Sequence, residues 1–178
     1  ITPSIWSIYF RDIHTYDVFI CILKDIYMVQ KYIYYPEILS NEDDISYYLL
    51  GAFITDGCVY RNGTNNYACQ LSSTDIDWLD LIKKQFGSNL KLHNFRDNYY
   101  GLRIIRNNIS QWFIDHGCLP RKTLTVNFPN VPIKFMPDFL RGLIDGDGSI
   151  GIYSSEVNGK NYTKYSCQFI SASYKLIE

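Results

Sequence analysis

The chain is 178 residues long, 47% hydrophobic and 20% charged, an ordinary globular composition that excludes a disordered or low-complexity polypeptide. Its longest apolar stretch, residues 16–29, is broken by Asp17, Lys24 and Asp25, so no run of about 20 apolar residues is available to cross a bilayer. The formal net charge of −1 hides an uneven distribution, with three basic against seven acidic residues over 1–44 and eleven against six over 57–141. The basic middle is compatible with phosphate contact but does not require it. Five cysteines (Cys21, Cys58, Cys69, Cys118, Cys167) form no C-x-x-C pair and the three histidines are far apart, which excludes the usual zinc patterns. An odd cysteine count fits buried free thiols in a reducing, intracellular setting.

Residues 1–44 read as an aromatic and Ile-rich N-terminal extension without a clean period, closed by Pro36 and the polar run 40–44. An Asp44 cap then predicts a short helix over 45–54 that stops at Asp56-Gly57. Strands are predicted at 58–61 and 67–72, parted by the Asn62-Gly63 turn signal. Thr74 caps a helix whose Ile76, Leu79, Ile82 and Phe86 share one face, ending at Gly87. Two more strands, 89–96 and 99–106, flank Asp97-Asn98, and a helix from Asn108 carries Trp112 and Phe113 to Gly117. The predicted class is α+β, in the order αββαββα. A linker with Pro120, Pro129, Pro132 and Pro137 leads to a second helix, 138–144, and again to Asp-Gly at Asp147-Gly148, before strands at 149–154 and 163–171.

The second half repeats the first. Residues 49–57 (LLGAFITDG) align with residues 140–148 (LRGLIDGDG) at a constant offset, and Cys69-Gln70-Leu71 recurs as Cys167-Gln168-Phe169. Gly51 and Gly142 remove side chains from one helix face, so the two helix backbones can approach closely in a pseudo-twofold pair. Close packing would set Asp56 and Asp147 side by side, and paired carboxylates are the hard oxygen donors that Mg²⁺ prefers. A single Asp-Gly after a helix is an ordinary cap; two in matching contexts, each followed by strands, point to a site. Metal-assisted hydrolysis of a phosphodiester is the chemistry that such a site serves.

The paired nonapeptides resemble the signature of the LAGLIDADG homing endonuclease family, over roughly three quarters of the chain from Ile45 onward. The second copy is close to consensus; the first departs from it at Ile54 and Thr55. The resemblance implies a first repeat over 45–130, a second over 131–178, and a monomer whose antiparallel sheets lie in the major groove of double-stranded DNA. It also implies a Mg²⁺-dependent, sequence-specific endonuclease with Asp56 and Asp147 as catalytic metal ligands. Strand alternation then selects the DNA-facing candidates Tyr60, Asn62, Gln70, Lys91, His93, Arg103 and Gln168, because Gln suits adenine and Arg suits guanine. Lys122 is a candidate for stabilising phosphate charge at the cleavage centre, as a lysine does in the corresponding linker of some relatives, or else a solvated linker residue. Asp145 serves either the metal site or the helix interface.

Only about thirty residues follow Gly148, against about sixty between Gly57 and Gly117, so the second repeat is expected to lack a helix and its last two strands. Full cleavage is therefore expected only from a version carrying that portion. The alternative reading is a non-catalytic nucleic-acid binder, such as an intron-splicing maturase with intron RNA as its partner.

Overall fold

The computed structural model describes residues 35, 37–87 and 89–177. Most of the extension expected over residues 1–44 lies outside the described residues. Residues 34–178 form one compact unit. It begins with a cap one residue earlier than the sequence suggests: the Asp43 carboxylate accepts from the Ser46 backbone N–H at 3.0 Å and starts helix α1, Asp44–Thr55. Asp44 is left as a first-turn acid, where it favours the positive end of the helix dipole.

Residues 46–54 of α1 are all buried, so this helix is apolar on every side and runs through the middle of the unit. Gly57 does not halt α1 with a left-handed turn. Asp56 caps the helix in right-handed geometry and Gly57 opens strand β1, Gly57–Arg61. Glycine is required there because the strand folds back on the last helical turn, and a Cβ would sit 2.6 Å from the Phe53 Cα and 2.7 Å from its carbonyl oxygen.

β1 is followed by β2 (Tyr67–Ser73), α2 (Ile76–Phe86), β3 (Leu92–Arg96), β4 (Tyr99–Ile104) and α3 (Asn107–Asp115), the αββαββα order. Asp75 caps α2, not Thr74, because β2 runs on to Ser73 and pushes the helix start down the chain. β3 begins at Leu92, three residues later than expected, since the chain leaving α2 has still to cross back to the sheet.

The four strands form an antiparallel sheet in the order β1-β2-β4-β3. One face carries Val59, Cys69, Leu71, Leu102 and Ile104, all buried beneath Leu79, Ile82 and Phe86 of α2 and Ile109 and Phe113 of α3. Phe53 of α1 stacks on Phe113 at 4.2 Å and meets Phe86 edge-on at 6.1 Å, joining the central helix to this core.

After two short 3-10 turns, Lys122–Leu124 and Ile133–Phe135, helix α4 spans Met136–Asp147. It starts two residues earlier and ends three later than expected. Pro137 lies in its first turn, where a missing N–H costs nothing. Strands β5 (Gly148–Val157) and β6 (Lys160–Phe169) make a second, two-stranded antiparallel sheet, and the short α5 (Tyr174–Ile177) follows. The hairpin is longer than expected because its turn is Asn158-Gly159, both at positive φ, the two-residue turn that best matches strand twist. That dipeptide was legible in the sequence. Ile150, Ile152 and Tyr165, on the face equivalent to the buried side of the first sheet, are 74%, 68% and 73% exposed. Val59 and Cys69, the counterparts of Ile150 and Cys167, are by contrast 3% and 0% exposed.

Candidate metal centre and nucleic-acid face

The site begins with the crossing of α1 and α4. A Cβ on Gly51 would run into the Phe139 carbonyl and lie 2.8 Å from the Leu143 nitrogen. One on Gly142 would run into the Tyr48 carbonyl and lie 2.9 Å from the Ala52 nitrogen. The contacts are reciprocal at the repeat offset, since Phe139 corresponds to Tyr48 and Leu143 to Ala52. Backbone therefore packs on backbone, and the two helix ends emerge together. Thr55, one of the departures in the first copy, is accommodated because the matching residue of α4 is Gly146, whose missing side chain leaves room for the threonine. Its hydroxyl is satisfied within α1, donating to the Ala52 carbonyl at 2.9 Å.

Asp56 caps α1 and Asp147 is the last residue of α4, so the two carboxylates stand at the paired helix ends. Asp56 is half-buried, and burial pushes its carboxyl up to about 6. The neighbouring Asp147 carboxylate adds to the rise and the Lys122 ammonium opposes it. The three groups thus share one electrostatic site.

Lys122 is buried, not solvated. Its ammonium donates to the Gly57 carbonyl at 2.7 Å and the Thr55 carbonyl at 3.4 Å, the two carbonyls on either side of Asp56. Arg121, in left-handed geometry at φ 60°, turns the chain so that Lys122 points inward. Replacing Lys122 by methionine is expected to lower stability by about 1–3 kcal/mol, because the Gly57 carbonyl loses its charged donor. The same substitution removes the cation that holds the Asp56 carboxyl down, so an NMR carboxylate titration should find Asp56 titrating higher than in the unmodified chain. An unchanged titration would show that the lysine does not act on this carboxylate.

Asp145 lies at the helix interface. Its Oδ2 accepts from the Tyr48 hydroxyl at 2.8 Å, which in turn accepts from the Trp78 indole N–H at 2.8 Å, while the Arg141 guanidinium sits 4.7 Å from the Tyr48 ring centre. This Trp78–Tyr48–Asp145 relay ties α2, α1 and α4 together. Burial holds the Tyr48 hydroxyl protonated well beyond neutral pH. No sequence signal marks the relay, because its members are 30 and 97 residues apart.

The outer face of the first sheet is mixed: Cys58 and Arg103 are exposed, Tyr60, Gln70 and His93 half-buried, and Ala68, Ser72 and Gly101 buried. Register places Cys58 opposite Gln70 and Gln70 opposite Arg103, one row across three strands. Tyr60 lies opposite Ala68, and Ser72 and His93 both lie opposite Gly101. Gln70 donates its side-chain N–H to the Ser72 hydroxyl at 3.0 Å. Two candidates fall outside the strands: Asn62 follows the end of β1, its N–H bonded to the Asn66 carbonyl at 2.8 Å, and Lys91 precedes β3. Both are exposed. Gln168 is on β6, opposite Ser149, on the exposed polar face that also carries Lys160 and Lys164. The sequence reading passed over Phe95, 40% exposed on the outer face of the first sheet.

No protein-family profile matches the chain, and no curated protein does. Among solved structures, the chain is similar to I-SmaMI bound to an uncleaved DNA target in the presence of calcium ions, at 13% identity and a TM-score of 0.46, over 69% of this chain and 66% of that one. Similarity to mesophilic variants of the homing endonuclease I-DmoI is at 19% identity and a TM-score of 0.42, over 61% of each chain. The I-LtrWI LAGLIDADG homing endonuclease bound to target DNA matches at 16% identity and 0.44, over 72% of this chain and 67% of that one. The chain spans just under two thirds of the length of the I-SmaMI structures. All three likenesses lie below 20% sequence identity.

Proposed function

We propose that the chain is a sequence-specific endonuclease that hydrolyses phosphodiester bonds of double-stranded DNA with Mg²⁺, acting as a monomer built on two repeats. The observation that carries this reading is the meeting of two carboxylates at the ends of helices packed backbone on backbone, beside a sheet face that carries Gln70 and Arg103. Asp56 and Asp147 fit a hard divalent ion: both are oxygen donors, and the burial and the Asp147 charge that together raise the Asp56 carboxyl would be offset by a cation between them. A bound Mg²⁺ would supply the charge that polarises the scissile phosphate and activates water. Lys122 holds the turn that carries Asp56 and adds a fixed positive charge near a phosphate placed there. Gln70 and Arg103 would read base edges in the major groove, with Tyr60, Asn62, Lys91, His93 and Gln168 along the rest of the footprint.

A second reading is a binder of DNA or intron RNA that does not cut. Incubating the chain with a library of duplex sites, with Mg²⁺ and with chelator, separates the two. The nuclease reading expects metal-dependent double-strand cuts at a restricted set of sites, abolished by Asp56→Asn and by Asp147→Asn. Selective binding without cutting, unchanged in both variants, would favour the binder.

A further inference from the structure

On the outer face of the first sheet, the pairing of β3 with β4 slips between Asn94 and Arg96, and Phe95 is the extra residue. Such a bulge re-aims a side chain. The Phe95 ring is laid over Gly101, where a Cβ would strike the ring edge and would stand 3.2 Å from the Ser72 hydroxyl. Gly101 is buried as a result, although it is on the outer face. The Arg103 guanidinium, two residues along β4 on the same face, is 6.0 Å from the Phe95 ring centre. The pattern continues with Tyr99, 6.4 Å from Phe95, which has the Arg96 guanidinium 5.6 Å from its own ring centre. The Phe95 ring, 40% exposed on the edge strand, lies on the opposite side of the sheet from the Leu71 and Leu102 core. It gives the long Arg103 side chain an apolar wall and a π face.

We propose that Phe95 is a positioning residue that holds the Arg103 guanidinium ready for paired hydrogen bonds to one guanine of the bound duplex. The inference rests on the DNA-binding reading above and adds to it a base and the residue that orients the reader. A free arginine loses rotamer entropy when it binds, and restricting its stem beforehand reduces that loss. The planar, rigid fork presents two parallel N–H donors at the spacing of the O6 and N7 acceptors of guanine in the major groove.

The test is selection of duplex sites by the full chain in Ca²⁺, read as base preference at each position. The unmodified chain is expected to favour guanine at one position by about tenfold or more. Arg103→Ala, which removes the donors altogether, should flatten that position while leaving the others unchanged. Phe95→Leu keeps apolar cover over Gly101, and so keeps the sheet, but lacks the ring; it should cut the same preference at least about threefold. Phe95→Tyr should preserve it. A Phe95→Leu chain with its guanine preference intact, or weakened equally at every position, overturns the proposal. Selective binding by the unmodified chain with no guanine position sensitive to Arg103 sinks this inference alone, whereas absence of any DNA binding sinks the DNA reading with it.

Discussion

Gly142→Val is expected to remove at least about 3 kcal/mol of stability and to abolish cleavage. The new side chain would meet the Tyr48 carbonyl and the Ala52 nitrogen, which are backbone atoms of a buried helix and cannot swing aside as a flexible side chain can. The helices would have to separate, and Asp56 and Asp147 would part with them. Gly51→Val should behave alike, because its obstacles, the Phe139 carbonyl and the Leu143 nitrogen, are the reciprocal pair. Leu140→Ala, on the outward side of α4 where the leucine is 42% exposed, is the control and should cost no more than about 1 kcal/mol. Urea denaturation measures all three. A Gly142→Val chain as stable as the parent would mean that α1 and α4 do not cross at these glycines.

Asp56→Asn is expected to do two opposite things: abolish metal-dependent cleavage and stabilise the fold at neutral pH. The Asp56 carboxyl titrates at about 6 in the folded chain, against 3.8 for an unperturbed aspartate. Between those values the folded state holds a proton that the unfolded state has lost. Stability therefore falls as pH rises from about 4 to about 6, and the cost persists above that window. The side chain is only half-buried, so solvent screening reduces the effect to about 1 kcal/mol. Asparagine carries no charge, and the variant should melt a few degrees higher than the parent at pH 7.5 and no higher near pH 4. Mg²⁺ should raise the melting temperature of the parent by binding the folded carboxylate pair, and leave that of Asp56→Asn almost unmoved. Equal stabilisation of both chains by the ion would place the metal elsewhere.

The contrast between Gly142 and Lys122 shows what could be read in advance. The glycines, the two Asp-Gly ends and their repeat offset are signals in short windows, and helix crossing follows from them because only a bare backbone permits so close an approach. The element order was legible for the same reason: apolar periodicity and turn residues act locally. Boundaries were less so. Asp43 took the cap from Asp44 and Asp75 from Thr74, since neighbouring polar residues compete and the geometry of entry chooses between them.

Lys122 belongs to the other class. Nothing in Arg121-Lys122-Thr123 marks the ammonium as buried; that is decided by two carbonyls more than sixty residues earlier in the chain. The Trp78–Tyr48–Asp145 relay and the ring of Phe95 over Gly101 likewise depend on a packed sheet, a bulge and a register that no local pattern encodes. The sequence by itself determined the repeated helices, their glycine faces and the acids at their ends, because those depend on residues within a turn or two of one another. Which polar groups meet at the centre, and at what electrostatic cost, was decided only when distant segments closed on each other and shut out water.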